Sequence, residues 1–406
     1  MTTVLSVARA APSVAPAFDI DAVTERLAQA LAATAVERDR AGGHAAAQRE
    51  LIRASGLLAL TVPKRHGGLG ADWPTLYRVV RRLAQADSAL AHVFSFHHLQ
   101  IASLLLYGNA EQQDRLLRLT IAERLFWGNA LNPIDRGLTA TRVDGGWVLD
   151  GHKSFTSGAL GSDRLTLSAH LRSEGEGAPP FLIGNLATHS PGLRVNADWD
   201  AFGQRQTDSG SARFEQVFLA DRDVLQAPGV LPTPRASLRT LVSQLTMANL
   251  YLGIGEGAFD AARQYTLGQA RPWIDAGVAR SADDPFVQHR YGSLWLLLRP
   301  AQLAADAAAQ RLQAALDLGA ALDAAERGEV AVAIAEAKVL AQRAGVEVSS
   351  QLFELTGARS TSSRLGLDRF WRNARVHTLH DPVDYKLRDI GRFRLEGRVP
   401  EPGSYS

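Results

Sequence analysis

The residues best suited to chemistry are gathered near the C-terminus, in Arg372-Asn373-Ala374-Arg375-Val376-His377-Thr378-Leu379-His380-Asp381-Pro382. His377 and His380 stand three residues apart, so on a helical turn they share a face. Imidazole titrates near neutrality and can deliver or accept a proton at ordinary pH. Asp381 follows directly, ahead of a proline. A further histidine, His92, lies early in a helical stretch from Ser88 to Tyr107; taken alone, it reads more readily as a core histidine with its hydrogen bonds satisfied. Zero cysteines exclude disulfides, thiol nucleophiles and thiolate metal sites. No metal site is expected.

Composition allows an enzyme and decides little more. At 406 residues the chain exceeds a single typical domain. With 46% hydrophobic and 21% charged residues it has the make-up of an ordinary soluble globular protein. A net charge of +2 indicates neither a nucleic-acid patch nor an acidic tail. Met1 to Ala17 carries Arg9 as its one charge and lacks an apolar h-region, so it reads as a loose tail rather than a signal peptide. No run approaches ~18 uninterrupted apolar residues, so no membrane span is expected and the cytoplasm is the default location.

Periodicity changes twice along the chain. From Asp19 to about Ile121 it is helical: Val23, Leu27, Leu31 and Ala35 follow one face, and Trp73-Pro74 opens a helix with proline in its first turn. Between about Leu125 and Asp223 it becomes strand-like, with Asp144-Gly145-Gly146 as a hairpin signal and short strands at Arg164–Ser168 and Phe181–Ile183. Ser173 to Pro180 reads as an exposed polar connector. From Leu238 to about Gly391 the chain is helical again, with alanine-rich segments at Ala301–Leu318 and Val330–Leu355. The expected layout is a tail at 1–18, a helical domain at 19–124, a β domain at 125–230 and a helical domain at 231–406.

Three motifs fall in this frame. Phe155-Thr156-Ser157-Gly158 is, by itself, as consistent with a strand-end turn as with a platform for a planar ring. Phe202-Gly203-Gln204-Arg205-Gln206-Thr207-Asp208-Ser209-Gly210, followed by Phe214-Glu215-Gln216-Val217, comes next, and the C-terminal histidine segment completes the series. In this order and spacing they resemble the flavin-site segments of acyl-CoA dehydrogenases. The fold implied is α+β: an N-terminal helical domain, a middle β-barrel-like domain and a C-terminal helical bundle. In those dehydrogenases the Arg-Asx-Ala-Arg/Lys lead-in runs on to Tyr-Glu-Gly, whose Glu abstracts the substrate α-proton. Here the same register reads His380-Asp381-Pro382. An Asp is one methylene shorter, and a base misplaced by about 1 Å costs on the order of 100-fold in rate.

At finer grain the chain resembles the dibenzothiophene monooxygenases, two-component enzymes that use reduced FMN. The similarity includes Thr34-Ala35-Val36-Glu37-Arg38-Asp39-Arg40-Ala41-Gly42-Gly43, Gly70-Ala71-Asp72-Trp73-Pro74, Gln269-Ala270-Arg271-Pro272-Trp273, Gly357-Ala358-Arg359 and Asp368-Arg369-Phe370-Trp371-Arg372-Asn373. It implies catalytic roles for His92, Ser157 and His380. It also implies flavin contacts from Asn129, Phe155, Ser157, Trp199 and His377, and a substrate pocket at Phe96 and His92. Arg271 and Arg359 match arginines expected at the FMN phosphate, reached across a subunit interface, where a guanidinium forms bidentate charge-assisted bonds. Two departures bear on the substrate. Phe96 stands where the branch has tyrosine, and the loop Leu131–Gly137 is shorter than the family's lid-like loop.

The resemblance implies oxygenation of an organosulfur or heteroaromatic substrate (a thioether, sulfoxide or indole) through a C4a-hydroperoxyflavin. A separate NAD(P)H-dependent flavin reductase would supply the reduced FMN, and O2 is the co-substrate. It further implies a homotetramer packed through the C-terminal helices, with the apolar runs Leu294–Leu298 and Val330–Leu340 suited to burial between subunits. Competing readings are an FAD-dependent acyl-CoA dehydrogenase using Asp381 or another carboxylate, and a non-catalytic flavin-fold scaffold.

Overall fold

Residues 18–172, 181–225 and 233–406 are described in a computed structural model. The expected tail before Phe18, the connector 173–180 and the β-to-helix boundary near 230 lie outside them. The order of elements is helices, then strands, then helices. Six N-terminal helices come first: α1 (Ile20–Ala32), α2 (Ala35–Ala41), α3 (Ala46–Ala54), α4 (Trp73–Ala86), α5 (Ser88–Tyr107) and α6 (Ala110–Ala122). Capping sets their starts. Asp19, Asp72, Asp87 and Asn109 each accept a backbone N–H in the first turn, and Pro74 sits where its missing donor costs nothing.

Helix α5 is long and apolar enough, by length and composition, to span a membrane, contrary to the expectation from uninterrupted apolar runs. Its most apolar window is 94% buried among the other helices, so it is the central core helix of this fold.

The seven strands are β1 (Trp127–Ala130), β2 (Leu138–Val143), β3 (Gly146–Lys153), β4 (Arg164–Leu171), β5 (Phe181–Ala187), β6 (Leu193–Val195) and β7 (Ala212–Ala220). They form one sheet in the order β1-β4-β2-β3-β7-β6, with β5 paired to β4. The Asp144-Gly145 turn closes the β2–β3 hairpin, with Val143 opposite Gly146. Leu138, Leu149, Leu167, Phe214, Val217 and Leu219 fill a core separate from that of the helices. A small sheet core beside a large helical core leaves a seam between them, and the strand ends open onto it.

The C-terminal helices are α7 (Pro234–Gly268), α8 (Pro285–Leu318), α9 (Ala324–Thr356), α10 (Asp368–His377) and α11 (Val383–Glu396). Helices α7 and α9 run parallel. Side-chain bonds from Arg327 to Ser237 (2.8 Å), Lys338 to Gln244 (2.7 Å) and Thr266 to the Leu355 carbonyl (3.3 Å) advance together along both. Leu294 and Leu298 are buried in the chain's own bundle, as are Val330, Ala331, Val332 and Ile334. The Val330–Leu340 run is thus mostly turned into the bundle, whereas Leu294–Leu298 is divided: Leu294 and Leu298 face the core, and Trp295, Leu296 and Leu297 are exposed, as are Trp273, Ile274 and Phe286.

Close approach of α7 and α9 depends on glycine. A Cβ on Gly345 would lie 2.7 Å from the Tyr251 carbonyl oxygen, inside contact distance. Gly345→Ala is expected to destabilise the protein by about 1–3 kcal/mol through overpacking, seen as a lower thermal midpoint. An unchanged midpoint would show that the helices part freely here.

Candidate functional site

The seam between sheet and helices gathers the motifs. Phe155 follows β3 in the left-handed region at φ 55°, a conformation costing a non-glycine residue about 1–3 kcal/mol. Backbone bonds hold it there. Thr156 N donates to the Gly210 carbonyl and Gly158 N to the Thr207 carbonyl, both at 2.9 Å, which pins the 155–158 turn against the 204–210 loop. Asn129 N donates to the Ser157 carbonyl at 2.9 Å and ties the turn to β1. The Phe155 ring is 64% exposed, edge-on to Trp199 at 6.2 Å. Trp199 is oriented in turn by its indole N–H, which donates to the Gln204 carbonyl at 2.9 Å. The Ser157 hydroxyl is buried and shares a hydrogen bond with Ser209 at 2.9 Å.

On the helical side, α5 carries His92, Phe96 and Gln100 along one face. His92 stacks on Phe96 (centroids 4.0 Å) and on His377 (5.1 Å). Gln100 donates to the Asn129 side chain at 3.1 Å. His92 is not a satisfied core histidine: both its ring nitrogens are buried without a hydrogen-bond partner, as is His377 Nε2. Burial pushes His377 down to about 3, with the charges of His380 and Lys338 adding to it. His92 is held well below the ordinary imidazole range by burial first and by His377 and His380 next. Both are neutral at pH 7. The neighbouring His97 is a satisfied core residue, with Nε2 bonded to the Leu58 carbonyl and Nδ1 accepting from the Trp127 N–H; His98 bonds Thr61 through Nδ1 and, like His377, leaves its Nε2 without a partner.

His377 and His380 do not sit together on a helical face. Helix α10 ends at His377, and His380 follows in a turn closed by its own N–H to the His377 carbonyl at 3.0 Å. His377 faces inward, with Nδ1 3.3 Å from the Gln204 amide. His380 is partly exposed; its Nδ1 is 2.9 Å from Asp381 Oδ1, and its ring meets Tyr405 edge-on at 5.4 Å. Asp381 is buried and paired with Lys338 of α9. Burial pushes its carboxyl up, but the His380 hydrogen bond and the Lys338 charge outweigh that and hold it well below the usual carboxylate range.

Arg271 and Arg359 are exposed and lie away from this cluster. They follow the C-terminal ends of α7 and α9, which the parallel packing places at one end of the bundle. Tyr251, whose ring meets His377 edge-on, is 17 residues short of the end of α7, about 25 Å at a helical rise of 1.5 Å per residue. The two arginines therefore follow the end of the bundle that lies away from the Tyr251–His377 contact. The loop Leu131–Gly137 is clasped shut: Lys153 donates to the Asn132 and Asp135 carbonyls, both at 2.7 Å.

Comparisons with known proteins identify the family. Residues 20–124 match the acyl-CoA dehydrogenase N-terminal domain, and residues 245–385 match the acyl-CoA dehydrogenase C-terminal domain. A probable FMNH2-dependent monooxygenase, SfnC of Pseudomonas putida, is 46% identical over 386 residues, covering 95% of this chain and 97% of its own length. The chain belongs to the flavin-dependent monooxygenase branch of the acyl-CoA dehydrogenase superfamily. Another member of the branch, dibenzothiophene monooxygenase of Rhodococcus erythropolis, is 45% identical, with 94% of each chain covered. The solved methanesulfinate monooxygenase MsuC of Pseudomonas fluorescens superposes with a TM-score of 0.93 at 46% identity, over 97% of this chain and 100% of that one. TdsC of Paenibacillus sp. A11-2, solved with FMN and indole, gives 0.91 at 38% identity, over 95% and 99%.

For a member of this branch, the residues at the seam fit a flavin. An exposed aromatic turn, a buried hydroxyl and orphaned imidazole nitrogens are what a polar-edged planar ring would cover and bond. Sequence reasoning missed Gln204, Tyr251, Lys338 and Tyr405. Of these, Lys338 had a visible signal: a lone cation in the apolar run Val330–Leu340 demands a buried partner.

Proposed function

We propose that this chain is the oxygenase of a two-component system, using reduced FMN and O2 to oxygenate a small organosulfur or heteroaromatic substrate. A separate NAD(P)H-dependent reductase supplies the flavin. The observation carrying this reading is the state of Asp381. It stands in the register of the dehydrogenase base, yet it is buried, ion-paired to Lys338 and bonded to His380. A carboxylate so engaged is a poor acceptor for a substrate proton, which argues against the acyl-CoA dehydrogenase alternative. The orphaned nitrogens of His92 and His377 ask instead for a polar ligand.

When bound, reduced FMN supplies the electrons for oxygen activation. The chain's own groups then have distinct tasks. Phe155 and Trp199 cover the ring, and Ser157 bonds its polar edge. Asn129, steadied by Gln100, orients the flavin. His380 holds or delivers the proton that accompanies oxygen transfer. Phe96 and His92 wall the substrate side with little polarity, which excludes water.

Arg271 and Arg359 of one subunit would bind the phosphate of a flavin held by another. Exposed Trp273 (72%), Ile274 (87%) and Phe286 (78%) near the same end of the bundle are suited to a subunit interface, consistent with a homotetramer.

Two assays test the reading. Anaerobic addition of acyl-CoA to the flavin-loaded protein is expected to leave the flavin oxidised. Aerobic turnover with a generic flavin reductase, NADH and FMN is expected to oxygenate at least one of an aromatic thioether, a dialkyl sulfone, an alkanesulfinate or indole. Bleaching by acyl-CoA would overturn the assignment.

A further inference from the structure

His380 is held from behind by a chain of three side chains from three elements. Its Nδ1 meets Asp381 Oδ1 at 2.9 Å, and Lys338 Nζ bonds the same oxygen from α9. Lys338 is itself anchored by a 2.7 Å bond to Gln244 on α7. Both Lys338 and Asp381 are buried, and Lys338 is completely so. An ionised carboxylate accepts but never donates, so His380 must carry its proton on Nδ1 to make this contact. Nε2 is then the nitrogen left to face the reacting atoms. Burying an ion pair rarely stabilises a fold more than well-packed apolar residues would, so its presence beside a histidine of this site calls for another role.

We propose that Asp381 and Lys338 are positioning residues for His380: Lys338 holds the carboxylate, and the carboxylate fixes the imidazole's rotation and tautomer. The inference rests on the reading of His380 as the proton-handling group. A segment that ends on a proton-abstracting carboxylate in the dehydrogenases here presents a histidine, and the Asp has turned inward as its support.

Several charged or titratable groups lie around His380: Asp381 beside it, Lys338 from α9 behind Asp381, His377 from α10, His92 from α5 and Tyr405 from the C-terminal segment, with Lys386 of α11 bonded to the Tyr405 carbonyl. Removing either member of the pair therefore has a defined sign. Asp381→Asn takes away the adjacent anion and lowers the His380 titration midpoint by about 1 to 3 pH units. Lys338→Met takes away the opposing cation and raises it.

The test uses the full-length protein without flavin. The rate of acylation of His380 by diethyl pyrocarbonate is followed against pH, with fragment ions separating His380 from His377. Opposite shifts in the two variants are the expected result. A midpoint that is unmoved in either variant, or that moves the same way in both, overturns the proposal. Should one single variant fail to fold, the other carries the test alone, and an unmoved or oppositely moved midpoint in it overturns the proposal. Should both fail, the double variant Asp381→Leu/Lys338→Met, which leaves neither buried charge nor an acceptor, is expected to lose the fixed Nδ1–H tautomer by nitrogen NMR, and an unchanged tautomer overturns the proposal equally. In turnover, the pH dependence of the product-to-peroxide ratio is expected to shift with the acylation midpoint, which a purely structural pair would not produce. A wild-type enzyme that oxygenates no substrate would instead sink the monooxygenase reading, whatever the acylation rates show.

Discussion

His380→Phe is expected to lower product formation by about 100- to 10,000-fold, the usual cost of removing one acid–base group. FMN binding and the thermal midpoint are expected to stay close to wild type, because His380 is partly exposed and its ring contacts are with Asp381 and Tyr405. Reduced flavin still meets oxygen in the variant, so reducing equivalents appear as hydrogen peroxide. Ser157→Ala is expected to uncouple in the same direction. Its hydroxyl is buried on the 155–158 turn and bonded to Ser209, which keeps a second bond to Thr207, so the loss is expected to fall on the ring edge that the hydroxyl would serve rather than on the fold. Product yield, peroxide yield and the absorbance of the reacting flavin by stopped flow are read together. A lower thermal midpoint with an unchanged product-to-peroxide ratio would mark both residues as structural and defeat the assignment.

The fold was legible where local pattern and tertiary context agree. The shift from helical to strand-like spacing near Leu125 and back near Leu238 follows from how apolar residues must face a core, and the sheet falls between those limits. The Phe155–Gly158 turn was legible as a turn, but its four residues alone fit a strand end as well as a ring platform; it was their order with the 202–210 and 372–382 segments that pointed to a flavin. Other features were not. That His377 and His380 part company depends on α10 stopping at His377, and no Gly or Pro at residues 377–379 announced it. The α5 span escaped because Ser95, His97, His98, Gln100 and Ser103 break its apolar run in sequence, while burial in the bundle hides every one of them. The inward turn of Asp381 needed Lys338, 43 residues away. The apolar face at Leu294–Leu298 could not be assigned to an interface or a core until the helix beside it was in place.

The parallel run of α7 and α9 leads to the second large effect. It sets Arg271 and Arg359 after the same end of the bundle, roughly 25 Å along α7 from the Tyr251–His377 contact. Two exposed arginines are therefore expected to matter to FMN only across a subunit boundary. Arg271→Ala and Arg359→Ala are each expected to weaken FMN binding by about 10- to 100-fold, the loss of a charge-assisted bond to phosphate. Binding of riboflavin, which has the ring but no phosphate, is expected to stay unchanged. Lysine at either position is expected to recover only part of the loss, since a point charge cannot reproduce a bidentate fork. Ile274→Asp places a charge on the exposed apolar end of the bundle and is expected to lower both the oligomeric state and the FMN affinity. Riboflavin again serves as the control for the ring pocket. Fluorescence titration and light scattering decide among these outcomes. Equal loss of riboflavin and FMN would place the arginines at the ring or in the fold. Full FMN affinity in a stable monomer would remove the cross-subunit phosphate site altogether, because a lone chain has no partner to supply the arginines.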